Sequence, residues 1–136
     1  MNTSKHTILY AEDDLDDLFI VKQVFEQHDH ITVVHAADGK KALLVLEEML
    51  LGNILPCLVI LDINMPIMNG KEALQAIRNH HHLNRLAVVL FTTSNSPSDV
   101  AFAKSLDAIL ITKPVEYSDV ELIARKFVDQ CNFEIN

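Results

Sequence analysis

The chain has 136 residues, 49% of them hydrophobic and 22% charged. That balance fits one globular domain, 1–136, and excludes a disordered polypeptide. A net charge of −8 argues against the basic face of a nucleic-acid binder and against docking to anionic lipid. No apolar stretch approaches the roughly 20 residues that span a bilayer. The polar first residues lack the apolar core of a signal peptide, so the expected location is cytoplasmic.

Strand and helix signals alternate five times along the chain. A first strand is predicted at 7–11, ending in the acids Glu12 and Asp13. A helix follows over about 15–28, with Asp14 as its cap and Asp17 at its third position. A second strand at 31–36 leads to a helix at 39–51. The third strand, 58–62, is a continuous apolar run that stops abruptly at Asp62. The Asn69–Glu72 spacing predicts a capping box at the head of a helix over 70–80. A fourth strand at 87–92 ends in Thr92, and Ser96-Pro97 with Asp99 opens a helix over 98–106. The fifth strand, 108–112, runs into Lys113-Pro114. The last helix, 118–131, should be capped by Ser118 with Glu121. Its Val120, Ile123, Ala124, Phe127, Val128 and Cys131 share one face.

This alternation implies an α/β fold, a doubly wound parallel sheet with helices on both faces. In such sheets ligands gather beyond the C-terminal ends of the strands. Four of those ends carry Glu12-Asp13, Asp62, Thr92 and Lys113. Clustered carboxylates repel one another unless a cation sits among them. Oxygen-only ligation suits Mg2+ or Mn2+ rather than Zn2+. Asp62 can attack an electrophilic phosphorus if a divalent cation and the Lys113 ammonium relieve the repulsion between two anions. Asp14, Asp16 and Asp17 read more simply as a solvated acidic helix start that complements the dipole.

With those residues in order, the chain resembles the response-regulator receiver domain of two-component signalling. The match rests on Glu12-Asp13, on Asp62-Ile63-Asn64-Met65-Pro66 with Gly70, on Thr92, and on Lys113-Pro114, and it covers about residues 6–132. The resemblance implies a flavodoxin-like five-stranded sheet of order 2-1-3-4-5. It implies Asp62 as phosphoacceptor, served by Lys113 and a hydroxyl; Thr92 and the adjacent Thr93 both offer one, and the family pattern counted from the strand favours Thr92. It also implies a metal held by Glu12, Asp13, Asp62 and the main-chain carbonyl of Asn64, and a Lys113–Pro114 peptide that can be cis. The implied partners are a sensor histidine kinase and a downstream protein target. A homodimer through the fourth helix, fifth strand and fifth helix is a further expectation. No nucleic acid, membrane or output domain is expected. The Thr92-Thr93-Ser94 stretch is loosely similar to small receivers paired with sensor kinases such as phytochromes.

The chain departs from the family pattern at three points. Leu110 stands three residues before the lysine, where an aromatic is common. Asp107 stands where a glycine precedes the fifth strand, and Val115 where phenylalanine often follows Lys-Pro. An aspartate-nucleophile phosphohydrolase is the competing reading. Those enzymes present Asp-x-Asp, and Asn64 in the second place cannot serve as general acid or base. The chain is therefore expected not to be an enzyme with turnover of its own. A nucleotide-binding module lacks support, because Gly39, Gly52 and Gly70 are the only glycines. His80-His81-His82 reads as a solvated helix end, since adjacent helical residues cannot converge on one ion. Cys57 and Cys131 form no metal spacing, and both are expected as free, buried thiols in a reducing cytosol.

Overall fold

Strands with no polar alternation are expected to be buried on both faces, and 8–11, 58–61 and 88–92 are, whereas the edge run 109–112 is partly exposed. A computed structural model describes residues 6–28, 30–93, 95–114 and 117–132. Its strands are β1 (His6–Ala11), β2 (Ile31–Ala36), β3 (Leu58–Leu61), β4 (Val88–Thr92) and β5 (Ile109–Thr112). All neighbours pair in parallel, in the order β2-β1-β3-β4-β5. Between them run α1 (Leu15–Phe25), α2 (Gly39–Leu51), α3 (Gly70–Asn79) and α4 (Pro97–Ser105), and α5 (Tyr117–Asn132) follows the last strand.

Alternate strand residues feed two separate cores, as the two-residue period requires. Leu9, Ala11, Val59, Leu61, Val88 and Leu90 pack with Ala42 and Leu46 of α2, Leu74 and Ile77 of α3 and Ala103 of α4. On the opposite side Ile8, Tyr10, Ile60, Val89 and Phe91 pack with Val21, Val24 and Phe25 of α1 and with Val120, Ala124 and Phe127 of α5. The Phe127 ring stacks on Phe25 at 6.0 Å and meets Phe91 edge-on at 5.6 Å. Among the described residues no helix is long and apolar enough to cross a membrane.

Most helix starts are where the capping residues put them. Asn69 and Glu72 form the reciprocal box, Ser96 caps α4 with Pro97 in the first turn, and Asp14 takes the N–H groups of Asp16 and Asp17. Two ends differ from expectation. α1 stops at Phe25, because Gln27 and His28 donate to the carbonyls three residues back and tighten the chain into a turn. α5 already begins at Tyr117, and the side chain of Ser118, expected as its cap, lies outside the described residues. The Val115 position, Ser94 and the side chain of Val128 lie outside the described residues.

The reading of Cys57 and Cys131 as free thiols is overturned. They are joined in a disulfide with Cα atoms 5.1 Å apart. Cys57 sits just before β3, and Cys131 lies in the last turn of α5, on the face that packs against the sheet. The pairing follows from that packing across a sequence separation of 74. The thiol-based argument for a reducing compartment falls with it. The Lys113–Pro114 peptide is trans, as are all peptide bonds among the described residues, against the cis form implied by resemblance.

Candidate functional site

Parallel register brings the strand ends level. Ala11 pairs with Ala36 and with Leu61, Leu61 with Leu90, and Thr92 with Thr112. The next residue along each strand therefore emerges at one edge. Main-chain bonds extend the alignment by one step: Glu12 N–H to Ala36 O, Asp62 N–H to Ala11 O, and Lys113 N–H to Thr92 O at 2.7 Å. Glu12, Asp62 and Lys113 are held there by backbone, before any side chain contributes.

The loop after β3 is fixed by close approach. Gly70 N–H donates to Ile63 O, and a Cβ on Gly70 would overlap the Asp62 carbonyl oxygen. Only glycine leaves room for that contact. Within the same loop Met68 N–H donates to Pro66 O at 2.6 Å and closes a three-residue turn around Ile67. Ile67 has φ 66°, a left-handed conformation that a β-branched side chain resists.

One carboxylate oxygen from each of Glu12, Asp13 and Asp62 lies within 4.8 Å of the others. Glu12 is completely buried and Asp62 nearly so, while Asp13 is exposed. A cluster of oxygen donors, open to solvent at Asp13, fits a hard divalent cation. Asn64 N–H donates to Asp62 Oδ1 at 3.2 Å, which turns that loop over the carboxylate.

Lys113 Nζ donates to Glu12 Oε1 at 2.7 Å, to Asp17 Oδ2 at 2.9 Å and to Asp62 Oδ2 at 3.2 Å. Burial alone would lower its pKa. The hydrogen bonds it donates to Glu12 and Asp17 and the Glu12 and Asp62 charges win and hold it above the ordinary lysine value. Glu12 is pushed the other way from a usual carboxylate, up to about 7. Its burial is the main cause and its contact with Asp62 the next, while Lys113 opposes both. Thr92 is fully buried at the end of β4, and Thr93 is exposed.

Three residues at this edge escaped the sequence reading. Asp17 is not a purely solvated helix-start acid, because it pairs with Lys113. Its third position after the Asp14 cap was visible, but a partner 96 residues away was not. Tyr10 reads as core, and its ring is fully buried, yet its hydroxyl donates to Glu12 Oε1 at 2.9 Å. Burial, and then the Glu12 charge, raise the phenol's pKa and keep it a donor. His35, at the end of β2, places Nε2 2.7 Å from the Glu12 carbonyl oxygen. Away from the site, His80 ends α3 and its Nε2 lies 3.1 Å from Glu47 Oε2.

The model of the response regulator receiver domain matches residues 8–125. The chain belongs to the response-regulator receiver family. Among related sequences, this receiver is 33% identical over 119 residues to a probable methanogenesis regulatory protein, FilR2, of Methanothrix harundinacea, covering 84% of the chain and 76% of the relative. It is 32% identical over 113 residues to a probable cyclic di-GMP phosphodiesterase of Vibrio cholerae, covering 82% of the chain but only 24% of that longer protein. Among solved structures, the phosphorylated cyanobacterial phytochrome response regulator RcpA superposes with a TM-score of 0.83 at 25% identity, over 93% of each chain. The Mn2+-bound form of the response regulator Rcp1 gives a TM-score of 0.76 at 26% identity, over 90% of this receiver and 91% of that chain.

Proposed function

We propose that this receiver is a phosphoacceptor that takes a phosphoryl group onto Asp62 from the phosphohistidine of a partner sensor histidine kinase. One observation carries the reading: the Lys113 ammonium and two further carboxylates, Glu12 and Asp13, converge on Asp62 at the C-terminal edge of the sheet. In the transfer an Asp62 carboxylate oxygen attacks phosphorus and forms a new O–P bond. The P–N bond to the imidazole breaks, and its electron pair returns to the ring nitrogen. Glu12, Asp13, Asp62 and the main-chain carbonyl of Asn64 would hold Mg2+ or Mn2+, which supplies charge neutralisation at the phosphoryl oxygens. The oxygen-only donor set supports the metal, as does the Mn2+-bound state of the similar Rcp1.

Lys113 then pairs with a phosphoryl oxygen. The Thr92 hydroxyl accompanies it and draws the loop after β4 inward. With Leu110 partly buried against the α2–α4 core, no aromatic rotation is available at that position. The signal passes instead through the loop to the face of α4, β5 and α5, where a downstream protein or a second copy would bind. Turnover of external substrates is not part of this reading, because the Asn64 amide does not ionise and cannot serve as general acid or base.

The test is chemical. Incubation with a small acyl phosphate and Mg2+ should add one phosphoryl group by intact-mass spectrometry, and Asp62→Asn should abolish it. An adduct that persists in Asp62→Asn would refute the assignment.

A further inference from the structure

We propose that Asp17 is a positioning residue for Lys113, holding its ammonium on the α1 side of the site and so setting how fast Asp62 is loaded. The inference rests on the phosphoacceptor reading and deepens it. A lysine ammonium has three hydrogens, and Lys113 spends one each on Glu12, Asp17 and Asp62. The longest of the three bonds, 3.2 Å, goes to Asp62. A phosphoryl oxygen on Asp62 draws the ammonium toward itself, at the expense of its contacts with the other two.

Those two are unequal. The Glu12 side chain is completely buried, and its Oε1 already serves both Lys113 and Tyr10. Withdrawing the ammonium there would leave a buried carboxylate short of its charged partner, which is costly. The Asp17 side chain is 40% exposed, so water can replace the ammonium at little cost. Asp17 is the partner that lets go. Its place is fixed from below, because its own N–H is held by the Asp14 cap at 3.1 Å. The carboxylate thus faces Lys113 from the first turn of α1 by construction of the helix start.

Removing the Asp17 charge should leave Lys113 freer to meet the incoming phosphoryl group. Loading of Asp62 by acetyl phosphate with Mg2+ should accelerate about threefold to fivefold in Asp17→Asn, the scale of a partly exposed ion pair. Asp16→Asn removes the same charge from the exposed neighbouring residue and should leave the rate unchanged. In a Lys113→Ala background the Asp17→Asn effect should vanish, as a double-mutant cycle requires of a residue acting through another. Equal acceleration by Asp16→Asn, or acceleration that survives without Lys113, would overturn the proposal. A second readout needs no phosphoryl group. The Lys113 ammonium should give a slowly exchanging 15N–1H signal in the metal-free protein that weakens in Asp17→Asn and not in Asp16→Asn. An unchanged signal in Asp17→Asn sinks the positioning role. Absence of any adduct on Asp62 in the unsubstituted protein would sink the phosphoacceptor reading while this signal still decides the Lys113–Asp17 contact.

Discussion

Glu12 is the residue on which the electrostatics of the edge turn. In the fold it keeps its proton up to about pH 7, whereas in the unfolded chain it loses it near the ordinary 4.5. Between those values the unfolded state binds fewer protons than the native one, so stability falls as pH rises. The metal-free protein should lose on the order of 3 kcal/mol from this group between about pH 5 and about pH 8. Lys113 contributes nothing to the slope there, since both its folded and unfolded values lie well above this window. A cation among the carboxylates does the work of the proton, so saturating Mg2+ should flatten the dependence. Calorimetric melting of chelated and Mg2+-loaded protein across that range would check both arms; a melting temperature that rises with pH in the chelated sample contradicts the assignment. At this scale the sequence was legible where a polar residue ended an apolar run, as at Asp62, Glu12 and Lys113. It was opaque where chemistry hid inside a strand, as at Tyr10, or depended on a distant partner, as at Asp17.

Helix ends show how local chemistry can succeed and still be strained. α4 closes with Asp107 N–H on Lys104 O and Ala108 N–H on Ala103 O, a reversal that needs a left-handed residue between them. Asp107 supplies it at φ 56°. α2 ends the same way, with Asn53 at φ 61° and bonds to Leu50 O and Met49 O. The turn after α4 is further tied by Arg78, whose guanidinium donates to the carbonyls of Leu106, Asp107, Leu86 and Asn84. Asp107 thus occupies a glycine position, as the family pattern suggested, and bears the steric cost of its Cβ. Asp107→Gly should stabilise the fold by about 1 kcal/mol, read as a higher denaturant midpoint at unchanged slope. No gain would mean that the aspartate side chain offsets its own strain. Strand and helix positions were readable to within a few residues because apolar runs and caps are local signals. The early stop of α1 was not, because the turn that ends it carries neither glycine nor proline.

Over the whole molecule, the order of the sheet follows from alternation and resemblance together, and the register then assembles the site. The disulfide is what the sequence concealed, since two cysteines 74 positions apart are paired only by the docking of α5 on β3. In the chain-entropy account a closure of that length stabilises by up to about 4 kcal/mol. Cys131→Ser, or full reduction, should therefore lower the melting temperature while leaving the parallel sheet intact by circular dichroism. A melting temperature equal to that of the oxidised protein would show that the bridge adds nothing. The bridge also divides the chain topologically. β3 to α5 form a covalently closed ring that carries Asp62, Thr92 and Lys113, whereas β1 and α1 lie on an open tail that carries Glu12, Asp13 and Asp17. Pulled from its N-terminal side, the oxidised chain would peel away Glu12 and Asp13 first, while the ring kept Asp62, Thr92 and Lys113 threaded together.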